Sequence, residues 1–140
     1  LAVTRQVYRN GINHRAVDLA RAREAVFAAA RQIAAFTERF DVVMCPTLAR
    51  LPPTHGELDM RNVNLEEYMS RIFRFAPYTA LASLAGQPAM NVPCAMSSTG
   101  LPIGAHFSAA FAREDVLYGL ASQLERAHPW PRTAPMSQPL

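Results

Sequence analysis

The chain has 140 residues, half of them hydrophobic and 18% charged, enough apolar material for one modest domain with a core and too much for a disordered tail. Its net charge of +3 is small and scattered, and no basic run interleaves with aromatics, which argues against a nucleic-acid surface. No apolar run approaches the length of a membrane span.

Residues 1–10 show no clear period and read as a lead-in. From Gly11 or Asn13 to Phe40 there is no proline, and alanine and arginine dominate, both good helix formers. Ile12, Leu19, Val26, Ile33 and Phe40 recur every seventh residue. This spacing predicts one helix of roughly 25 residues, about 40 Å long, whose alanine-rich flank suits packing on a sheet better than a coiled coil. Residues 41–45 form a continuous apolar run ended by Pro46, the pattern of a strand buried on both faces. Residues 47–62, rich in proline and polar groups, read as a surface loop.

Asn64 can cap a helix running from Leu65 to about Phe75, with Glu66 and Glu67 compensating the dipole in its first turn. Pro77 breaks that helix. Residues 78–84 make a short apolar helix, with Gly86 placed for a left-handed cap and Pro88 beyond it. Residues 89–94 and 101–107 read as strands joined by a turn at 97–100, where Gly100 supplies a positive φ. Gly104 allows a close backbone approach. The expectation is a hairpin packed under a helix. Glu114 and Asp115 open a last helix, with a buried stripe of Val116, Leu117, Leu120, Ala121 and Leu124, ended by Pro129 and Pro131. Residues 133–140 read as a frayed tail. The fold class is therefore α/β, with no repeat and no second domain within 1–140: a long N-terminal helix, a buried strand, further helices with a β-hairpin, and a C-terminal helix.

The candidate chemical groupings are weak. Cys45 and Cys94 sit in apolar, strand-like surroundings and read as buried, reduced thiols of a cytoplasmic protein. None of His14, His55, His106 and His128 has a local signature that pairs it with a thiolate. His55 with Glu57 and Asp59 reads as a solvated loop rather than a metal site. Ser97 and Ser98 are turn formers. No cofactor or metal is implied.

The stretch from Tyr78 to Phe107 nonetheless resembles the amidase signature family. Tyr78, Thr79, Gly86, Pro88, Ala89, Val92, Pro93 and then Gly100, Leu101, Pro102, Ile103, Gly104 match its "glycine-x-proline-alanine" and "glycine-leucine-proline-x-glycine" runs. Upstream, Phe40 and Asp41 through Pro46 and Thr47 resemble its "aspartate, apolar run, proline-threonine" strand. Downstream, Arg113 to Asp115, Gln123 to Glu125 and Pro129-Trp130 resemble its closing helix. Within the family the chain is most similar to bacterial amidases of the 6-aminohexanoate-cyclic-dimer hydrolase type. There are departures: Ala82-Ser83-Leu84 replaces an asparagine, and His106 replaces a glutamine.

The resemblance implies the C-terminal portion of an amidase-type mixed sheet with flanking helices. It also implies hydrolysis of a linear or cyclic carboxamide by acyl transfer to serine. The family's serine–serine–lysine relay and its Gly/Ser-rich region have no counterpart here, since all 14 basic residues are arginine. The catalytic serines and lysine are therefore expected outside this chain, which alone should be inactive. Carried over from the resemblance, Phe73, Ala76 and Ala80 would line the acyl channel; their spacing would align them on one helical face, although Pro77 interrupts it. The implied partners are a small-molecule amide and the N-terminal part of the same enzyme, with no nucleic acid and no membrane. Isolated, the chain is expected to form a homodimer through a bare sheet edge or the helical stripe. Two other readings are a non-catalytic α/β interaction module and the amidase-type subunit of an aminoacyl-tRNA amidotransferase.

Overall fold

A computed structural model of the chain describes residues 2–61 and 63–130. The expected tail at 133–140 lies outside the described residues. Eight elements follow in order: α1 (Ala2–Gly11), α2 (Ala16–Thr37), β1 (Val43–Pro46), α3 (Leu65–Phe75), α4 (Ala80–Ala85), β2 (Ala89–Met96), β3 (Pro102–Ser108) and α5 (Glu114–Ala127).

The N-terminal region departs from expectation, because it holds two helices and not a lead-in followed by one. Asn13 Nδ2 donates to the Arg9 carbonyl at 2.8 Å and closes α1. Arg15 is extended, and its backbone N–H donates to the Asp18 carboxylate at 3.0 Å, which opens α2. That hydrogen bond and the Arg15 guanidinium hold the Asp18 carboxyl below its usual range. The local pattern of α1 is short, Val3 with Val7 four residues on and Arg5 and Arg9 opposite, and its anchors lie far along the chain. Gln6 donates to the Val63 carbonyl at 3.4 Å and accepts from Leu65 N–H at 2.7 Å, and Val3 is buried. The seven-residue stripe consequently splits. Ile12 and Leu19 are exposed, whereas Val26 and Ile33, farther along α2, are half-buried.

α3 has the expected bounds, and Asn64 Oδ1 accepts from Glu67 N–H at 2.8 Å. α4 ends on Gly86 at φ 69°, the left-handed cap read from the sequence. The hairpin turn closes through Ser97, whose Oγ accepts from Leu101 N–H at 2.9 Å, with Gly100 at φ 78°. α5 carries Leu117 buried and Leu120, Ala121 and Leu124 half-buried.

The three strands are antiparallel in the order β1-β3-β2. This corrects the reading of residues 41–45 as a strand buried on both faces. β1 is an edge, its residues alternating half-buried and exposed. The doubly covered strand is β3, which has a neighbour on each side, and residues 105–109 are buried without interruption. On one face Ala105, Phe107 and Val92 pack with Leu117 of α5, and Met90, Leu120, Leu124 and Trp130 close the cluster. On the other face Val43, Cys45, His106 and Ser108 look toward α2 and α4. The hairpin is thus sandwiched between helices.

Candidate functional site

Phe73, Ala76 and Ala80 do not share one helical face. α3 ends at Phe75 and α4 begins at Ala80, so Pro77 separates Phe73 from Ala80 by an elbow. Phe73 is 54% exposed in the last turn of α3. Ala76 caps that helix and Ala80 opens the next, both half-buried. The loop after β1 is tied to this elbow, because Ala49 N–H donates to the Phe75 carbonyl at 3.0 Å and the Arg50 guanidinium lies 6.0 Å from the Phe75 ring centroid.

That loop leaves β1 through a polar joint. Thr47 N–H donates to the Gly104 carbonyl at 3.1 Å, and the Thr47 hydroxyl donates to Asn91 Oδ1. The "proline-threonine" and "glycine-leucine-proline-x-glycine" runs therefore meet across β1 and β3, with Asn91 of β2 as third partner. A methyl group on Gly104 would stand 2.6 Å from Thr47 Oγ1 and 2.9 Å from Asn91 Oδ1. Sequence reading gave the close approach at Gly104 but not the partners, which come from strands over forty residues apart. Beside the joint lies a groove of about 640 Å³, walled by Leu48, Leu51, Pro93 and Ile103 and reached by Arg50. Arg50 is paired with Glu57.

A second recess, of about 330 Å³, separates the sheet from α2 and α4. Gln87 Nε2 donates to Thr37 Oγ1 at 2.7 Å at its edge. Cys45 stands directly opposite His106 in the β1–β3 register, a pairing no local signature could announce. Burial pushes the Cys45 thiol up and holds the His106 ring below its usual value. Both groups are thus held neutral, which is the reverse of an activated thiolate–imidazolium pair. Cys94 is exposed, correcting its reading as a buried thiol. It follows Pro93, where the β2–β3 register shifts and strand packing lapses.

Among the described residues no three potential ligands gather for a metal ion. Glu57 and Asp59 are instead paired with Arg50 and Arg61. No described helix is long and apolar enough to cross a membrane.

His106 makes the stability of the fold sensitive to acid. The folded state disfavours its charged form, so the unfolded chain binds the extra proton as pH drops below the ordinary histidine value, near 6.5. Stability contributed by keeping the ring neutral is complete above that value and is lost as pH falls toward the lower folded value. Urea titrations at falling pH should show the midpoint declining, and His106→Gln should flatten the decline. An equal decline in both proteins would refute the assignment.

The geometry has relatives. The Amidase family model matches residues 2–117. The 6-aminohexanoate-cyclic-dimer hydrolase of Pseudomonas sp. (strain NK87) is 40% identical over 96 residues, covering 65% of this chain and 20% of that protein. A glutamyl-tRNA(Gln) amidotransferase subunit of Chlorobaculum tepidum is 38% identical over 88 residues, covering 63% of this chain and 17% of that protein. The solved structure of a 6-aminohexanoate cyclic dimer hydrolase superposes with a TM-score of 0.85 at 27% identity, over 97% of this chain and 29% of that one. The chain thus spans about a fifth of the length of these curated relatives. Over the strands and helices that join the Pro46-Thr47 end of β1 to the Gly104 crossing, and beyond them in both directions, the chain belongs to the amidase family.

Proposed function

We propose that the chain is the C-terminal portion of a bacterial, cytoplasmic amidohydrolase that cleaves a linear or cyclic carboxamide by acyl transfer to serine. In this reading the serines and lysine stand on the remainder of the enzyme, and Phe73, Ala76 and Ala80 face the substrate channel from the α3–α4 elbow.

The observation that carries the reading is surplus surface. The chain exposes 10852 Å² at 15.4 kDa. A self-contained monomer of that mass exposes roughly 7,200 Å². Giving the twelve undescribed residues the full surface of an extended chain, roughly 1,900 Å², still leaves about 1,700 Å² unexplained. That is about twice one partner's share of a standard interface. A body of this shape suits a segment made to lie against the rest of an enzyme. Relatives named as amidotransferase subunits support a second reading, in which the parent supplies amide to an aminoacyl-tRNA.

The test compares the isolated chain with the full-length protein, each offered 6-aminohexanoate cyclic dimer and a p-nitroanilide. Turnover is expected from the full-length protein and none from the chain. Hydrolysis by the chain alone, abolished by Cys45→Ala or Cys94→Ala, would overturn the proposal. Full-length protein that turns over only glutamine with aminoacyl-tRNA selects the second reading. Isolated, the surplus should drive the chain into a homodimer in light scattering at low micromolar concentration. A monomer that unfolds cooperatively would instead favour a stand-alone interaction module.

A further inference from the structure

We propose that the recess between α2, α4 and the sheet is a binding site for a small uncharged aromatic molecule carrying one hydrogen-bonding head group. Its volume of about 330 Å³ falls at the lower end of the range of small-molecule sites. No Asp, Glu or Arg lines its wall among the described residues. An ion entering it would lose hydration without gaining a counter-charge, which costs far more than burying a neutral polar group.

The floor and the mouth differ in chemistry, and this sets the shape of the ligand. Phe36, Tyr78 and Leu81 surround the opening and are substantially exposed, so they offer apolar and aromatic faces to a ring. Deeper, the Ser108 hydroxyl and the His106 ring lie on β3, both buried yet engaged in no hydrogen bond among the described residues. No fully buried polar side-chain atom among the described residues is left without a partner, so these groups open onto the recess. A neutral imidazole offers one donor and one acceptor, and a hydroxyl offers both, so either satisfies an alcohol, a phenol or an amide head group. His106 stays neutral for the same reason that an ionic ligand is rejected: burial without a partner of opposite charge.

The recess borders the α3–α4 elbow through Tyr78, but Phe73, Ala76 and Ala80 do not line it, and its test is independent of hydrolysis. The recess contains its own reporter, because Cys45 lines it while Cys94 lies outside and exposed. Alkylation of each thiol by iodoacetamide is followed by peptide mass spectrometry, with benzyl alcohol, benzoate or benzylammonium added at millimolar concentration. The three share a ring and differ in charge. Benzyl alcohol should slow Cys45 several-fold and leave Cys94 unchanged, and the two ions should slow neither. Equal slowing by all three, slowing of both thiols together, or no slowing of Cys45 by benzyl alcohol would overturn the proposal. No variant is needed, so unfolding caused by a substitution cannot confuse the result, and Cys45 must first react more slowly than Cys94 without additive, as a folded chain requires.

Discussion

Phe107→Ala should strip the isolated chain of most or all of its net stability at room temperature. Removing a buried phenylalanine side chain costs about 3–5 kcal/mol, from lost transfer free energy and the cavity left behind. Phe107 is 7% exposed near the end of β3, the middle strand of the sheet, in the cluster of described residues that joins the sheet to α5. That cluster has few members, and no large side chain in the described chain is fully buried. Neighbours are therefore too sparse to take up the loss. A folded domain of ordinary stability has about 5–15 kcal/mol in hand, and a chain with this much bare surface belongs at the lower end. Tyr118→Ala on the same elements is the control: that ring is 77% exposed and its loss should change stability by less than about 0.5 kcal/mol. Urea unfolding followed by circular dichroism separates the two. Equal losses would mean that α5 does not hold the sheet.

The second large effect is expected at Gly104. Gly104→Ala inserts a methyl group into the joint between Thr47 and Asn91, at distances real side chains do not tolerate. One partner must move, and the Thr47–Asn91 hydrogen bond breaks with it. Overpacking of this kind costs about 1–3 kcal/mol. The mechanism is specific enough for a double-mutant cycle. Asn91→Ala should lose the hydrogen bond but remove two of the three close contacts and free the Thr47 hydroxyl to turn away from the third, so the double variant should be less destabilised than the two single losses combined. Strict additivity would show that crowding at this joint is not the cause.

The legible parts of the fold were those whose causes are local. The Asn64 cap, the left-handed Gly86, the turn at Gly100 and the acidic start of α5 each need only a few neighbouring residues. What sequence reading missed depends on distant partners. α1 is held by Gln6 against Val63 and Leu65, and its Val3–Val7 pair is too short a pattern to mark a helix by itself. β1 has the composition of an interior strand and the position of an edge, because order within a sheet is not written in a strand's own residues. The same limit explains the candidate site. Motif matching marked Thr47 and Gly104 separately, while their meeting with Asn91 is a property of strand register. Spacing would align Phe73, Ala76 and Ala80, and the interruption that Pro77 marks in the sequence divides them between two helices.

The β1-β3-β2 order also fixes a sequence of events in time. β2 and β3 are joined by a tight turn and can pair within microseconds, with α5 following directly along the chain. β1 reaches β3 only after a loop of some sixty residues closes between Cys45 and His106, which costs about 2 kcal/mol more in chain entropy than the turn does. The hairpin with α5 should therefore assemble first, and β1 should be the last strand to join and the first to leave. Native-state hydrogen exchange would show this as lower protection in β1 than at the β2–β3 contacts, and uniform protection would contradict it. Each transient opening of that edge would separate Cys45 from His106 and remove one strand from the floor of the recess, so entry to the interior of this fold is governed by the strand that arrives late.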